Sequence, residues 1–213
     1  YYGDVVTLAH NEARLNPRNG PWQVAHNARF VVDPVPEFLT RELDYFGNWL
    51  HQFVLQEAHR RFVLTAHSEV TVREPLLPDP RKTPPWEEVR ELLANATDQE
   101  VFEAVEHCFE SPYVRWTPAI AAYARESFTP SRPILEAVLD LNRRIHHDFD
   151  YRPGTTNVAT PVRAVFEQRR GVCQDFAHLL IACVRSLGLA ARYVSGYLLT
   201  RPAEGQARLI GAD

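Results

Sequence analysis

Gly171-Val172-Cys173-Gln174-Asp175-Phe176-Ala177-His178-Leu179-Leu180 is the stretch on which the reading of this chain turns. A cysteine stands just after a glycine, at the start of a run that is apolar over most of its length. The run predicts a helix from Cys173 to about Leu187, stopped by Gly188, a common C-terminal signal. Phe176, Ala177, Leu179, Leu180, Ile181, Ala182, Val184 and Leu187 cover more than one face of it, so the helix should be central. Gln174, His178 and Arg185 fall within about 40° of one another and form one narrow polar stripe. A thiol at residue 173 sits at the positive end of the helix dipole, which favours the nucleophilic thiolate. Gly171 permits close backbone approach, and Gln174-Asp175 keeps the vicinity polar. Ala191 to Leu199 follows as a strand-like run.

The other reactive side chains read differently. Cys108 lies on an amphipathic stripe and Cys183 inside the apolar helix, so both are expected in the core. His178 is the nearest histidine in sequence. Five residues of helix rotate it by about 140° and raise it by about 7.5 Å, which makes it a poor base for Cys173. His146-His147-Asp148 invites a metal reading, but adjacent helical side chains diverge by about 100° and no third ligand has fitting spacing. Arg169-Arg170 reads as a solvated helix end that could also raise the local potential. No C-x-x-C occurs, so a structural zinc is not expected, and without a calcium-loop pattern no other metal is expected.

Working outward, residues 1–78 read as an antiparallel β domain. Phe62, Leu64, Ala66, Val70 and Val72 alternate with polar residues, the period of a half-buried strand. Trp49, Phe53 and Leu55 fit a preceding strand after a Gly47-Asn48 turn, and Trp22 to Val32 fits another, closed by Asp33-Pro34-Val35-Pro36. Glu74 to Pro85, rich in proline, reads as a linker. Residues 79–213 turn helical. Thr97-Asp98-Gln99-Glu100 has the form of a capping box ahead of the stripe Val101, Val105, Cys108, Phe109. Thr117-Pro118 and Thr160-Pro161 each pair a cap with a first-turn proline, and Pro133 opens a helix whose Ile134, Val138, Leu141 and Ile145 share a face.

Composition narrows the function classes. With 45% hydrophobic and 23% charged residues the chain is globular rather than disordered. A net charge of -4 without a basic cluster argues against nucleic-acid or anionic-membrane binding. No apolar run approaches the roughly 20 residues of a membrane span. Three cysteines without a pairing pattern point to a reducing compartment, so the expected location is cytoplasmic. Tyr1-Tyr2-Gly3-Asp4 is neither a start methionine nor a secretion signal, and both ends read as cuts through a longer protein.

Cys173 to His178, then Arg185-Ser186-Leu187-Gly188-Leu189-Ala190-Ala191-Arg192-Tyr193-Val194-Ser195-Gly196-Tyr197, resembles the bacterial transglutaminase-like family, whose members are described as cysteine proteases. Phe149-Asp150-Tyr151 and Thr160-Pro161 resemble it too. Leu15-Asn16-Pro17-Arg18 and Asp44-Tyr45-Phe46-Gly47-Asn48 are similar to the N-terminal β domain that accompanies it. The resemblance implies an α+β fold: a papain-like, transglutaminase-type core, incomplete at its C-terminus here, behind a small antiparallel β domain. It also implies a Cys-His-Asp triad with Cys173 as nucleophile. The family histidine, in a Ser-His-Ala-Trp-like segment, and the family aspartate have no counterpart in residues 1–213, and Gly211-Ala212-Asp213 looks like the point just before that histidine segment.

The expected activity of the intact protein is thiol-dependent acyl transfer on amides, of cysteine protease, amidohydrolase or transglutaminase type, with residues 1–213 inactive by themselves. Cys173 is the catalytic candidate, and Gln174 and Asp175 are the oxyanion or near-site candidates. The backbone N–H of Cys173 is the natural oxyanion donor. A protein or peptide substrate is expected and no cofactor. The rival reading is a non-catalytic scaffold that binds a protein partner through the β domain.

Overall fold

The computed structural model describes residues 1–197. The chain divides into two compact units, Tyr1–Leu77 and Pro78–Asp213.

The first unit is built from two antiparallel sheets. One has the order β1-β4-β3, with β1 Ala9–Ala13, β3 Phe38–Leu43 and β4 Trp49–Leu55. The other pairs β2 Gln23–Asp33 with β5 Val63–Val72. Leu50, Phe53 and Leu55 of β4 are buried because β4 is the central strand, covered on both edges. Phe53 and Leu55 meet Val32, with Phe30 and Leu64 packed alongside, so side chains from both sheets share one small core. Pairing between β2 and β5 slips between His26 and Arg29, where Asn27 takes a left-handed φ of 50° and its amide donates to Glu69 Oε2. The expected half-burial of β5 holds only near its start: Val70 and Val72 are exposed. Alternation places side chains on one face, but only a second layer buries them.

In the second unit the helices are α1 Trp86–Ala94, α2 Gln99–Val105, α3 Pro118–Arg125, α4 Ile134–Asp148, α5 Val162–Gln168 and α6 Cys173–Arg185. Two short strands, β6 Asp150–Tyr151 and β7 Arg170–Gly171, form a parallel pair. Helix α6 packs against α3, α4 and α5, and its Leu179, Ala182 and Cys183 are fully buried beside Ile120, Ala124 and Leu141. Central placement follows from the sequence pattern, because a helix apolar around most of its girdle needs neighbours on several sides. Gly188 turns the chain out of α6 with a φ of 78°.

Local punctuation departs from the sequence reading in five places. Asp98, not Thr97, caps α2, because its carboxylate reaches Glu100 N–H at 2.9 Å. Thr160 does not cap α5; its hydroxyl accepts from Asn157 N–H and is used within the preceding turn. Helix α2 ends at Val105 and tightens into a turn over Glu106–Cys108, which leaves Phe109 exposed rather than on the apolar stripe. The end of the proline-rich stretch is docked: Pro84 accepts from Ile134 N–H at 2.9 Å and Thr83 Oγ1 from Leu135 N–H at 3.2 Å. Proline lacks a donor but keeps its carbonyl, so it can still close the open start of α4. Residues 191–197 join no sheet among the described residues; the strand-like composition lacks a ladder partner there, and residues 198–199 lie outside the described residues. Thr117 does cap α3, accepting from Ile120 N–H.

Among the described residues no helix is long and apolar enough to cross a membrane.

Candidate active site

The start of α6 is held by a chain of local contacts that begins upstream. Arg169 ends α5 in the left-handed conformation, with a φ of 54°. Its guanidinium lies over Phe149 and Phe166, each 4.6 Å from the ring centre, and over Tyr123 at 5.2 Å. Arg169 is exposed, as expected of a solvated helix end, and its cation also lies against the aromatic cluster of Tyr123, Phe149 and Phe166. Next, Asp150 N–H donates to Arg169 O, and Arg152 N–H donates to Gly171 O. These bonds fix the strand that delivers residue 173.

Asp175 then locks the first turn. Its carboxylate is 4% exposed and accepts from Val172 N–H at 2.8 Å and from the Thr156 hydroxyl at 2.6 Å. A carboxylate at the third helical position that reaches back to the residue before the helix forms half of a capping box and complements the dipole. As an acceptor it cannot be an oxyanion donor; it positions the turn that carries the donors. Gly171 is required by this same contact. A Cβ there would lie 2.7 Å from Asp175 Oδ2 and 2.9 Å from Asp175 Cβ. The close approach inferred for Gly171 is thus made by Asp175. Replacing Gly171 with Ala should push the carboxylate off Val172 and cost about 1–3 kcal/mol of stability, measurable by urea unfolding; an unchanged midpoint would show that the turn can relax.

Cys173 is exposed. It is the first residue of a 13-residue helix. The N–H groups of Cys173 and Gln174 precede the first intrahelical bond and find no acceptor among the described residues. An exposed cysteine therefore stands at the helix end where these N–H groups have no acceptor among the described residues, and such donors can stabilise a developing oxyanion. Among the described residues no histidine hydrogen-bonds the thiol, and no cluster of three or more His, Cys, Asp or Glu side chains could hold a metal ion.

The polar stripe does different work along its length. Gln174, half-buried, lies beside the thiol. His178 is half-buried between Tyr113, nearly parallel at 6.1 Å, and Tyr193 at 5.1 Å. Burial holds its pKa below the ordinary histidine value, against the opposing pull of Asp175. Arg185 is buried; its Nε and Nη2 donate to Ala191 O, and its Nη1 donates to Phe109 O. The stripe clamps the segments around residues 109–113 and 191–193 onto α6. His146 and His147 do not join the thiol site: His147 pairs with Asp148, whose other oxygen accepts from Tyr123. Thr156 and Tyr113 were not legible as site residues, since nothing in their sequence spacing links them to α6.

The three thiols are expected to react in a fixed order. Cys173 is exposed, Cys108 is half-buried with its pKa raised by burial, and Cys183 is fully buried with its pKa pushed up to about 12. Brief iodoacetamide treatment followed by peptide mapping should label Cys173 first, Cys108 slowly and Cys183 only after unfolding.

Comparison with known proteins identifies the family of the chain. Residues 1–71 match the bacterial transglutaminase-like N-terminal region, and residues 121–209 match the transglutaminase-like superfamily. Uncharacterised proteins of Mycobacterium tuberculosis and Mycobacterium bovis are 41% identical over the whole chain, which covers 67% of their length. One from Mycobacterium leprae is 32% identical over 92% of the chain and is likewise 67% covered. The crystal structure of a candidate cysteine protease from Cytophaga hutchinsonii superposes with a TM-score of 0.67 at 19% identity, over 88% of this chain and 61% of that one, a likeness of fold. With its N-terminal β region and its cysteine-bearing helical core, the chain belongs to the bacterial transglutaminase-like family.

Proposed function

We propose that in the intact protein Cys173 is the nucleophile of thiol-dependent acyl transfer on amides. The observation that carries this reading is an exposed cysteine at the first position of α6, where the Cys173 and Gln174 N–H groups find no acceptor among the described residues. The thiolate attacks an amide carbonyl carbon, forming a C–S bond. The carbonyl oxygen becomes an oxyanion that accepts from those N–H groups. Collapse breaks the C–N bond and leaves a thioester; the departing amine takes the proton that the base removed from the thiol. Water then releases an acid, or an amine forms a new amide, and in both cases the thiolate is regenerated. Hydrolysis is slightly preferred, because water is the default acceptor. The proton carrier is a histidine supplied by sequence outside residues 1–213, as family membership implies. The substrate is a protein or peptide in the cytoplasm, and the chemistry calls for no cofactor.

The test is release of ammonia or amine from glutaminyl and peptide amides by the intact protein, before and after one equivalent of alkylating agent. Loss of turnover in proportion to Cys173 labelling supports the reading. Turnover that survives full labelling of Cys173 refutes it, and absence of turnover with retained partner binding favours a scaffold.

A further inference from the structure

Strand β3 is an edge strand: among the described residues it pairs only with β4. The turn after it fixes which of its backbone groups are used. Asp44 N–H donates to Asn48 O at 2.9 Å, and bonded positions alternate along an antiparallel pair. Glu42 and Thr40 therefore exchange bonds with Leu50 and Gln52 of β4. The N–H and C=O groups of Leu39, Arg41 and Leu43 point to the open edge instead, where they form a template for another strand.

The side chains select the strand that fits. Leu39, Arg41 and Leu43 share one face, beside Phe53, His51 and Trp49 of β4. All three are exposed, the leucines by 45% and 58%. The Arg41 guanidinium lies 3.7 Å from the centre of the Trp49 ring, and no carboxylate pairs with it among the described residues. Glu42, exposed on the other face, likewise forms no ion pair among the described residues. Opposite charges directly across a strand pair attract and like charges repel, so the incoming strand needs an acid opposite Arg41 and a base opposite Glu42. A second copy of β3 fails this condition: an antiparallel pair that matches its leucines sets Arg41 against Arg41 of the copy. We propose that β3 accepts an antiparallel strand of a protein partner that reads apolar, basic, acidic, polar, apolar, with its acid opposite Arg41 and its apolar residues opposite Leu43 and Leu39. Backbone bonds supply the attachment and the side-chain pattern the choice of partner. The proposal does not depend on the role of Cys173.

The test titrates the intact protein with the acetylated, amidated peptide Thr-Leu-Lys-Glu-Thr-Leu-Thr and follows the backbone amides of β3 by NMR. The N–H groups of Leu39, Arg41 and Leu43 are expected to shift saturably and to exchange with solvent more slowly. Those of Thr40 and Glu42, already bonded to β4, should change little. N-methylation of the peptide glutamate, whose N–H donates to Arg41 O, should abolish binding; N-methylation of the lysine beside it, whose N–H points away, should not. Exchanging the peptide's lysine and glutamate should weaken binding by about fivefold, and the variant Arg41→Glu with Glu42→Lys should reverse that preference. Unprotected amides at Leu39, Arg41 and Leu43, equal binding of the two peptides, or indifference to N-methylation of the glutamate overturns the proposal. So does protection that rises with protein concentration in the absence of peptide, which means that a second copy takes the edge.

Discussion

Cys173→Ala in the intact protein is expected to abolish amide turnover, lowering it by about 10⁴-fold, with folding unchanged. The size follows from the chemistry: without sulfur there is no covalent intermediate, and only substrate binding and the N–H donors remain. Cys173→Ser should fall nearly as far, because a hydroxyl at the same place is far less ionised than a thiol. Stability should move by less than about 0.5 kcal/mol, since the side chain is exposed and buries little. A steady-state assay beside a thermal melt separates the two effects. Turnover within tenfold of the parent, in a folded variant, would contradict the assignment of Cys173.

The second large effect is structural. Asp175→Ala should destabilise the helical unit by about 1–3 kcal/mol, because it leaves two half-buried donors, Val172 N–H and the Thr156 hydroxyl, without their acceptor. It also removes the negative charge from the first turn of α6. Asp175→Asn keeps an acceptor oxygen for Val172 and should lose less. Urea unfolding followed through Trp86 and Trp116, both in the helical unit, measures it. The same variants should slow alkylation of Cys173, because the turn that holds its N–H array frays. A D175A protein with parental stability and thiol reactivity would show that the carboxylate is not what fixes the site.

What the sequence revealed follows the range of the physics involved. Helix α6 was legible from residues 171–188 alone: its apolar set demands neighbours on several sides and its glycine stop is local. Strand β4 was legible at its observed bounds, Trp49–Leu55, because a central strand must alternate large apolar side chains. Strands β1 and β3 were not. Ala9–Ala13 holds no large apolar residue and Phe38–Leu43 is mostly exposed, so each is a strand through its pairing with β4. The same reasoning explains residues 191–197, strand-like in composition but without a ladder among the described residues.

At the site, Cys173 and the close approach at Gly171 were legible because helix geometry and a missing Cβ are local properties. The partner of that approach was not, nor was the Thr156 hydroxyl, 19 residues upstream of the Asp175 it steadies. Arg169 could not be placed over Tyr123, Phe149 and Phe166 from sequence, because those rings come from separate elements. Contacts of that kind are set by packing, which single-chain spacing does not encode.

The most direct measurement is to quench the intact protein during turnover of an amide or activated ester substrate and map the acyl group by mass spectrometry. One acyl equivalent, lost on hydroxylamine treatment and located on the peptide that contains Cys173, is the predicted result. Turnover with the acyl group on another residue, or with none on Cys173, would contradict the account.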